Sequence, residues 1–184
     1  MCPKSRSRFT LVEIMAVMAV IALLMGAVLG IVDYVSRKNG EARTLAVVEM
    51  LRSGLEQYKE KYGFYPPTIG RQTNGYVKFQ LDKVDTGASA PDREKVANNF
   101  NQFIDYNHFT QSGKSKKEDG VYYILDGFGG YIYYRCPGYV NKTAYDLGSL
   151  GSDDKVGDGK TTAVTAAAAG DDFGKGDDIT NCRR

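Results

Sequence analysis

The chain has 184 residues, 42% of them hydrophobic and 25% charged, which argues for a folded chain over a disordered one and suits one globular domain plus an anchor. Formal net charge is +2, and apart from Lys4, Arg6 and Arg8 the remaining 21 Lys and Arg meet 22 Asp and Glu, so no basic field marks a nucleic-acid binder. No paired acids, nucleophile triad, zinc-spaced Cys/His set or phosphate loop is present to support an enzyme.

Residues 1–8, MCPKSRSR, form a short basic leader, and residues 9–32 an apolar stretch whose only charge is Glu13. From Ile14 to Val32 all 19 residues are apolar or glycine, long enough for a helix to cross a bilayer. The basic leader predicts a cytoplasmic N-terminus with the rest of the chain on the far side. A secretory signal peptide is the competing reading. The apolar pattern runs past the small residues Gly26, Ala27 and Gly30 into a further helical segment, which suits an anchor better. A carboxylate within such a segment is costly, so Glu13 either snorkels to the interface or finds a cation. Cleavage between Arg8 and Phe9 would create one, the new α-amino group of Phe9. A neighbouring subunit's Glu13 could pair with it, and a misplaced subunit would leave both charges unpaired.

The leader, the FTLVEIM run and the long apolar helix together resemble the type IV pilin and type II secretion pseudopilin superfamily. The resemblance implies that a prepilin peptidase cuts between Arg8 and Phe9 and methylates Phe9, and that Glu13 serves assembly. The family has Gly before the cut, where this chain has Arg8. Many members carry a helix-kinking Pro at the position of Gly30; Gly26 and Gly30 could instead form a flexible point or a GxxxG contact face.

Residues 33–62 continue as an amphipathic helix, with Leu45, Val48, Leu51, Leu55, Tyr58 and Tyr62 as one apolar stripe for a sheet to cover. Gly63 is a candidate C-cap, and Pro66-Pro67 stops the helix. Anchor and stalk then make one helix of about 50 residues, on the order of 75 Å at the standard rise. MLRSGLEQYKEKYGFYPPTIG resembles the corresponding segment of major pseudopilins. Ser89-Ala90-Pro91 looks like the start of a helix running through Val96, Phe100, Phe103 and Ile104 to about Tyr106. His108, the only histidine, receives no role. Residues 111–120 read as a solvated loop. Residues 121–136 read as a β-hairpin, with Val121–Leu125 and Tyr131–Cys136 flanking the turn signal DGFGG. The 13 tyrosines suit packing at a sheet or between subunits. The fold class expected is α+β: a long N-terminal helix on a small antiparallel sheet, followed by an Asp/Gly-rich loop.

From Asp146 onward the tail holds eight Asp and no Glu. Oxygen ligands on a Gly-rich loop suit Ca²⁺, though the EF-hand spacing is missing, and a solvated acidic loop is the plainer reading. SLGSDD and GDDITN resemble the segments that close a calcium loop in major pseudopilins. That resemblance places ligands within 146–181, at Leu150 by its carbonyl, Asp153 and Asp178, with Asp158 and Asp177 as further candidates. Of the three cysteines, Cys2 lies in the leader, and Cys136 and Cys182 are the candidate disulfide, which would imply an oxidising compartment. Sequence alone does not bring them within bonding distance.

The resemblance implies no bond chemistry. It implies a subunit of a type II secretion pseudopilus, a helical homo-oligomer in the inner membrane with its C-terminal domain in the periplasm. Its implied partners are minor pseudopilins, prepilin peptidase and an inner-membrane assembly platform, with no nucleic acid. The alternative is a type IV pilin of a surface fibre for adhesion, motility or DNA uptake, which a disulfide-closed C-terminus would favour.

Overall fold

The computed structural model describes residues 10–68, 76–80, 102–118, 121–157 and 172–182. Helix α1 runs from Leu11 to Tyr62 over 52 residues, so the apolar stretch and the amphipathic stretch form one element, as the hydrophobic pattern predicts. Gly63, at φ +82°, ends it as the expected cap, its N–H donating to the Lys59 carbonyl at 2.7 Å. The chain divides into two units, Met1–Lys38 and Asn39–Arg184.

Within the first unit the described apolar side chains of α1 are exposed, among them Leu11, Val12, Met15, Met18, Leu23, Leu24 and Ile31. The described side chains of this stretch form no buried face. By length and composition it could cross a membrane.

The second unit is α+β. Strands β1 (Val77–Lys78), β4 (Ile132–Arg135), β5 (Asp146–Ser149) and β6 (Ile179–Thr180) form an antiparallel sheet in the order β1-β4-β5-β6. Strands β2 (Ser115–Glu118) and β3 (Val121–Ile124) form a second antiparallel pair. A short helix, α2 (Tyr106–Gln111), precedes β2; the Asp105 carboxylate caps it by accepting from the His108 N–H at 3.0 Å.

Because side chains alternate across a strand, the four-stranded sheet separates two cores. On one face Ile132, Tyr134, Tyr145 and Leu147 meet Val47, Val48, Leu51, Leu55 and Tyr58 of α1. On the other, Tyr76, Leu150, Val156 and Phe173 cluster with Tyr133 against them, and the Tyr76 and Phe173 rings stack at 4.1 Å.

The structure corrects three expectations. The α1 stripe is displaced at its start: Leu45 is 48% exposed, while Thr44 and Val47 are buried. Thr44 faces inward because its hydroxyl accepts from the Gly127 N–H at 2.9 Å and donates to the Gly40 carbonyl at 2.9 Å. The 121–136 hairpin closes at its turn through the Leu125↔Tyr131 bridge, and then its arms part. Phe79 lies between them, donating to the Ile132 carbonyl at 2.7 Å and accepting from the Ile124 N–H at 3.0 Å. Third, the expected loop 111–120 contains β2, whose lysines sit on a strand of the kind that protects a sheet edge from further pairing. The expected helix from Ser89 lies largely outside the described residues, but Phe103 and Ile104 do pack against the main core.

Candidate functional site

Arg8 and Phe9 lie outside the described residues, but the first turn of α1 does not. Thr10 and Glu13 form a capping box: the Thr10 N–H donates to Glu13 Oε2 at 2.8 Å, and the Glu13 N–H donates to Thr10 Oγ1 at 3.3 Å. The Thr10 hydroxyl also donates to Glu13 Oε2 at 2.9 Å. Glu13 therefore has a local partner that the sequence reading passed over. The signal was present in Thr10-Leu11-Val12-Glu13, the Ser/Thr-x-x-Glu pattern of a helix start.

The Asp loop lies at the other end of the chain. Gly151, at φ +73°, leaves β5 so closely that a Cβ there would stand 2.4 Å from the Asp177 carbonyl oxygen. Asp177 Oδ2 accepts from the Ser152 N–H at 2.8 Å and its hydroxyl at 2.9 Å. Asp153 Oδ1 accepts from the Lys155 N–H at 2.9 Å. Asp178 Oδ2 accepts from the N–H groups of Gly157 (3.0 Å) and Gly174 (2.9 Å), whereas its Oδ1 is buried with no hydrogen-bond partner among the described residues. Burial raises the Asp178 carboxyl to about 6; the two glycine N–H groups oppose that shift, and the charges of Asp177 and Asp153 add to it. Leu150 is buried at the start of the loop, and Asp158 lies outside the described residues.

A buried carboxylate oxygen without a donor, among like charges, is chemically suited to a hard cation. Among the described residues no group of three or more His, Cys, Asp or Glu side chains is placed to hold a metal. No family profile, curated protein or solved structure matches this chain.

Asp146, counted in the sequence only as the first acid of the tail, is fully buried in β5. It accepts from the backbone N–H groups of Tyr139 (2.6 Å), Val140 (2.8 Å) and Asn141 (2.9 Å), from the Tyr76 hydroxyl (3.0 Å) and from the Cys182 thiol (3.0 Å). With every oxygen so engaged, its role is to hold the 138–141 turn against the sheet.

The candidate Cys136–Cys182 bond is not formed, and both residues are buried thiols. Continuing the antiparallel registers puts Cys136 opposite Tyr145 and Cys182 opposite Asp146, on the two flanks of β5. Because Tyr145 and Asp146 alternate, the two sulfurs also emerge on opposite faces of the sheet. Cys136 packs in the core against α1, and Cys182 bonds the Asp146 carboxylate. Two strand spacings are roughly 10 Å, beyond the Cα separation a disulfide spans. Burial raises both thiol pKa values, so neither is poised as a nucleophile. His108 is exposed, with Nε2 2.8 Å from Lys114 Nζ, and belongs to no chemical cluster.

Proposed function

We propose that this chain is a membrane-anchored pilin-like subunit of a type II secretion pseudopilus, polymerising through the apolar half of α1 and performing no bond chemistry itself. The observation that carries this reading is a single 52-residue helix of two characters. Its first half exposes an apolar surface with no partner among the described residues, and its second half is the core helix of an α+β unit. Such a surface is stable only in lipid or against copies of itself. The lone acid at its start supplies the register. On this reading Glu13 exchanges its bond to Thr10 for the amine at Phe9 of a neighbour, once the leader has been cut after Arg8.

The Asp loop is the proposed site of Ca²⁺. Asp178 supplies its unpartnered oxygen, Asp153, Asp177 and Asp158 supply further carboxylates, and Leu150 supplies its carbonyl. Bound there, the ion would neutralise the mutual repulsion of these acids and hold the C-terminal segment on the sheet. The surface-pilin alternative leaned on a disulfide-closed C-terminus, which the placement of Cys136 and Cys182 on opposite sheet faces does not favour.

Expression of the full chain with a prepilin peptidase tests the reading. Intact mass is expected to show an N-terminus at methylated Phe9, and Glu13→Leu to abolish filaments. Thr10→Val, which removes the hydroxyl but keeps the charge, is expected to retain them. An uncut leader, or filaments from Glu13→Leu equal to those of the parent, would sink it.

A further inference from the structure

A line of polar contacts, exposed at Asp177 and buried at Ser149, joins the Asp loop to α1, and no part of the proposed assembly accounts for it. It begins at Ser152, held by Asp177, and passes to Gly151, whose N–H donates to Ser149 Oγ at 3.0 Å. The Ser149 hydroxyl donates in turn to Asp126 Oδ2, and Ser149 is fully buried. Asp126 Oδ1 accepts from the N–H groups of Phe128 and Gly130, each at 2.8 Å, which shapes the 126–130 turn. The turn then grips α1 through the Gly127 N–H bond to Thr44.

The grip is tight. A Cβ on Gly127 would stand 2.1 Å from the Gly40 carbonyl oxygen, and a Cβ on Gly40 would stand 2.3 Å from the Phe128 ring. Taken singly, the two buried bonds at Ser149 only satisfy buried polar groups, as most such groups require. The joint at Ser149 goes further, because one hydroxyl is at once donor to the turn and acceptor from the loop. At zero exposure no solvent stands ready to replace either bond, so displacing one end costs the other its partner.

We propose that Ser149 and Asp126 are positioning residues that tie the Asp loop to the grip of the 126–130 turn on α1. Ordering at Asp177 tightens the Gly127–Thr44 contact, and loosening at Thr44 frees the loop; the coupling is reciprocal because it is a free energy between two sites. In this arrangement, whatever orders the C-terminal loop also sets how firmly the globular unit holds its own helix.

The test is amide hydrogen exchange by NMR on the full chain in detergent micelles, with 1 mM Ca²⁺ or with EDTA. The Phe79 amide, bonded to the Ile132 carbonyl, serves as control. The Ca²⁺ arm rests on the cation reading above. Ca²⁺ is expected to slow exchange at both Ser152 and Gly127, and Ser149→Ala to keep the effect at Ser152 while losing it at Gly127. An undiminished effect at Gly127 in Ser149→Ala overturns the proposal. If Ca²⁺ changes nothing at Ser152, the cation reading fails and the second arm decides. Thr44→Val, made at the far end, is then expected to speed Ser152 exchange by at least about twofold, the lower range of coupling within one network, and to leave Phe79 unchanged. Equal Ser152 exchange in Thr44→Val and parent overturns the coupling whatever the metal does, and this arm does not require Ser149→Ala to fold.

Discussion

Replacing Asp178 by Asn separates the two electrical states of the Asp loop. In the absence of a cation the Asp178 carboxyl is held at about 6 against an ordinary value of 3.8, chiefly by burial. A raised acid binds its proton more tightly when folded than when unfolded. The cost of ionising it is therefore absent below the unfolded value, near pH 4, grows as pH rises, and is complete above about pH 6. Two pKa units correspond to about 3 kcal/mol at full linkage, and partial exposure of the side chain lowers this to on the order of 1–2 kcal/mol. Asp178→Asn keeps an oxygen for the Gly157 and Gly174 N–H groups and removes the charge that Asp153 and Asp177 repel. In EDTA at pH 7.5 the variant is expected to be more stable than the parent by about 1 kcal/mol, after a buried amide N–H takes its share, with the gain gone by pH 4. In saturating Ca²⁺ the order reverses, because the parent gains binding free energy that the variant lacks. Thermal unfolding of the full chain in detergent, followed by the near-ultraviolet signal of its tyrosines, measures all four conditions. A variant less stable than the parent in EDTA at pH 7.5 would refute the electrostatic reasoning.

Other perturbations test the packing. Gly127→Ala forces a methyl onto the α1 backbone at Gly40, and is expected to cost more than about 2 kcal/mol and to sensitise the globular unit to protease. Asp146→Ala strips partners from three backbone N–H groups and two side chains, and is expected to cost about 3–5 kcal/mol, read as a fall in the melting temperature of the full chain in detergent. Cys136 and Cys182 are expected to resist iodoacetamide in the native chain and to react once unfolded; a mass 2 Da below that of the dithiol would contradict the strand register.

Local patterns carried much of this protein. The uninterrupted apolar run from Ile14 to Val32 marked a helix long and apolar enough to cross a membrane, and the periodicity through Tyr58 required one helix face to be covered. Gly63 and the paired prolines ended that helix where the structure ends it, because such signals act within a few residues. The DGFGG turn was legible for the same reason. What folded across long separations was not. That Phe79 enters between the arms at Ile124 and Ile132 depends on which edges meet in space, which β-propensity hardly constrains. Ser115–Glu118 is different: its partner Val121–Ile124 is the next segment of chain, and its charged composition hid a local strand. The acids of the tail looked alike in one dimension. Only the tertiary structure separates Asp146, saturated within β5, from Asp178, whose Oδ1 is buried with no partner among the described residues. The register of β5 sent Cys136 and Cys182 to opposite faces, since one step along a strand reverses the direction of a side chain.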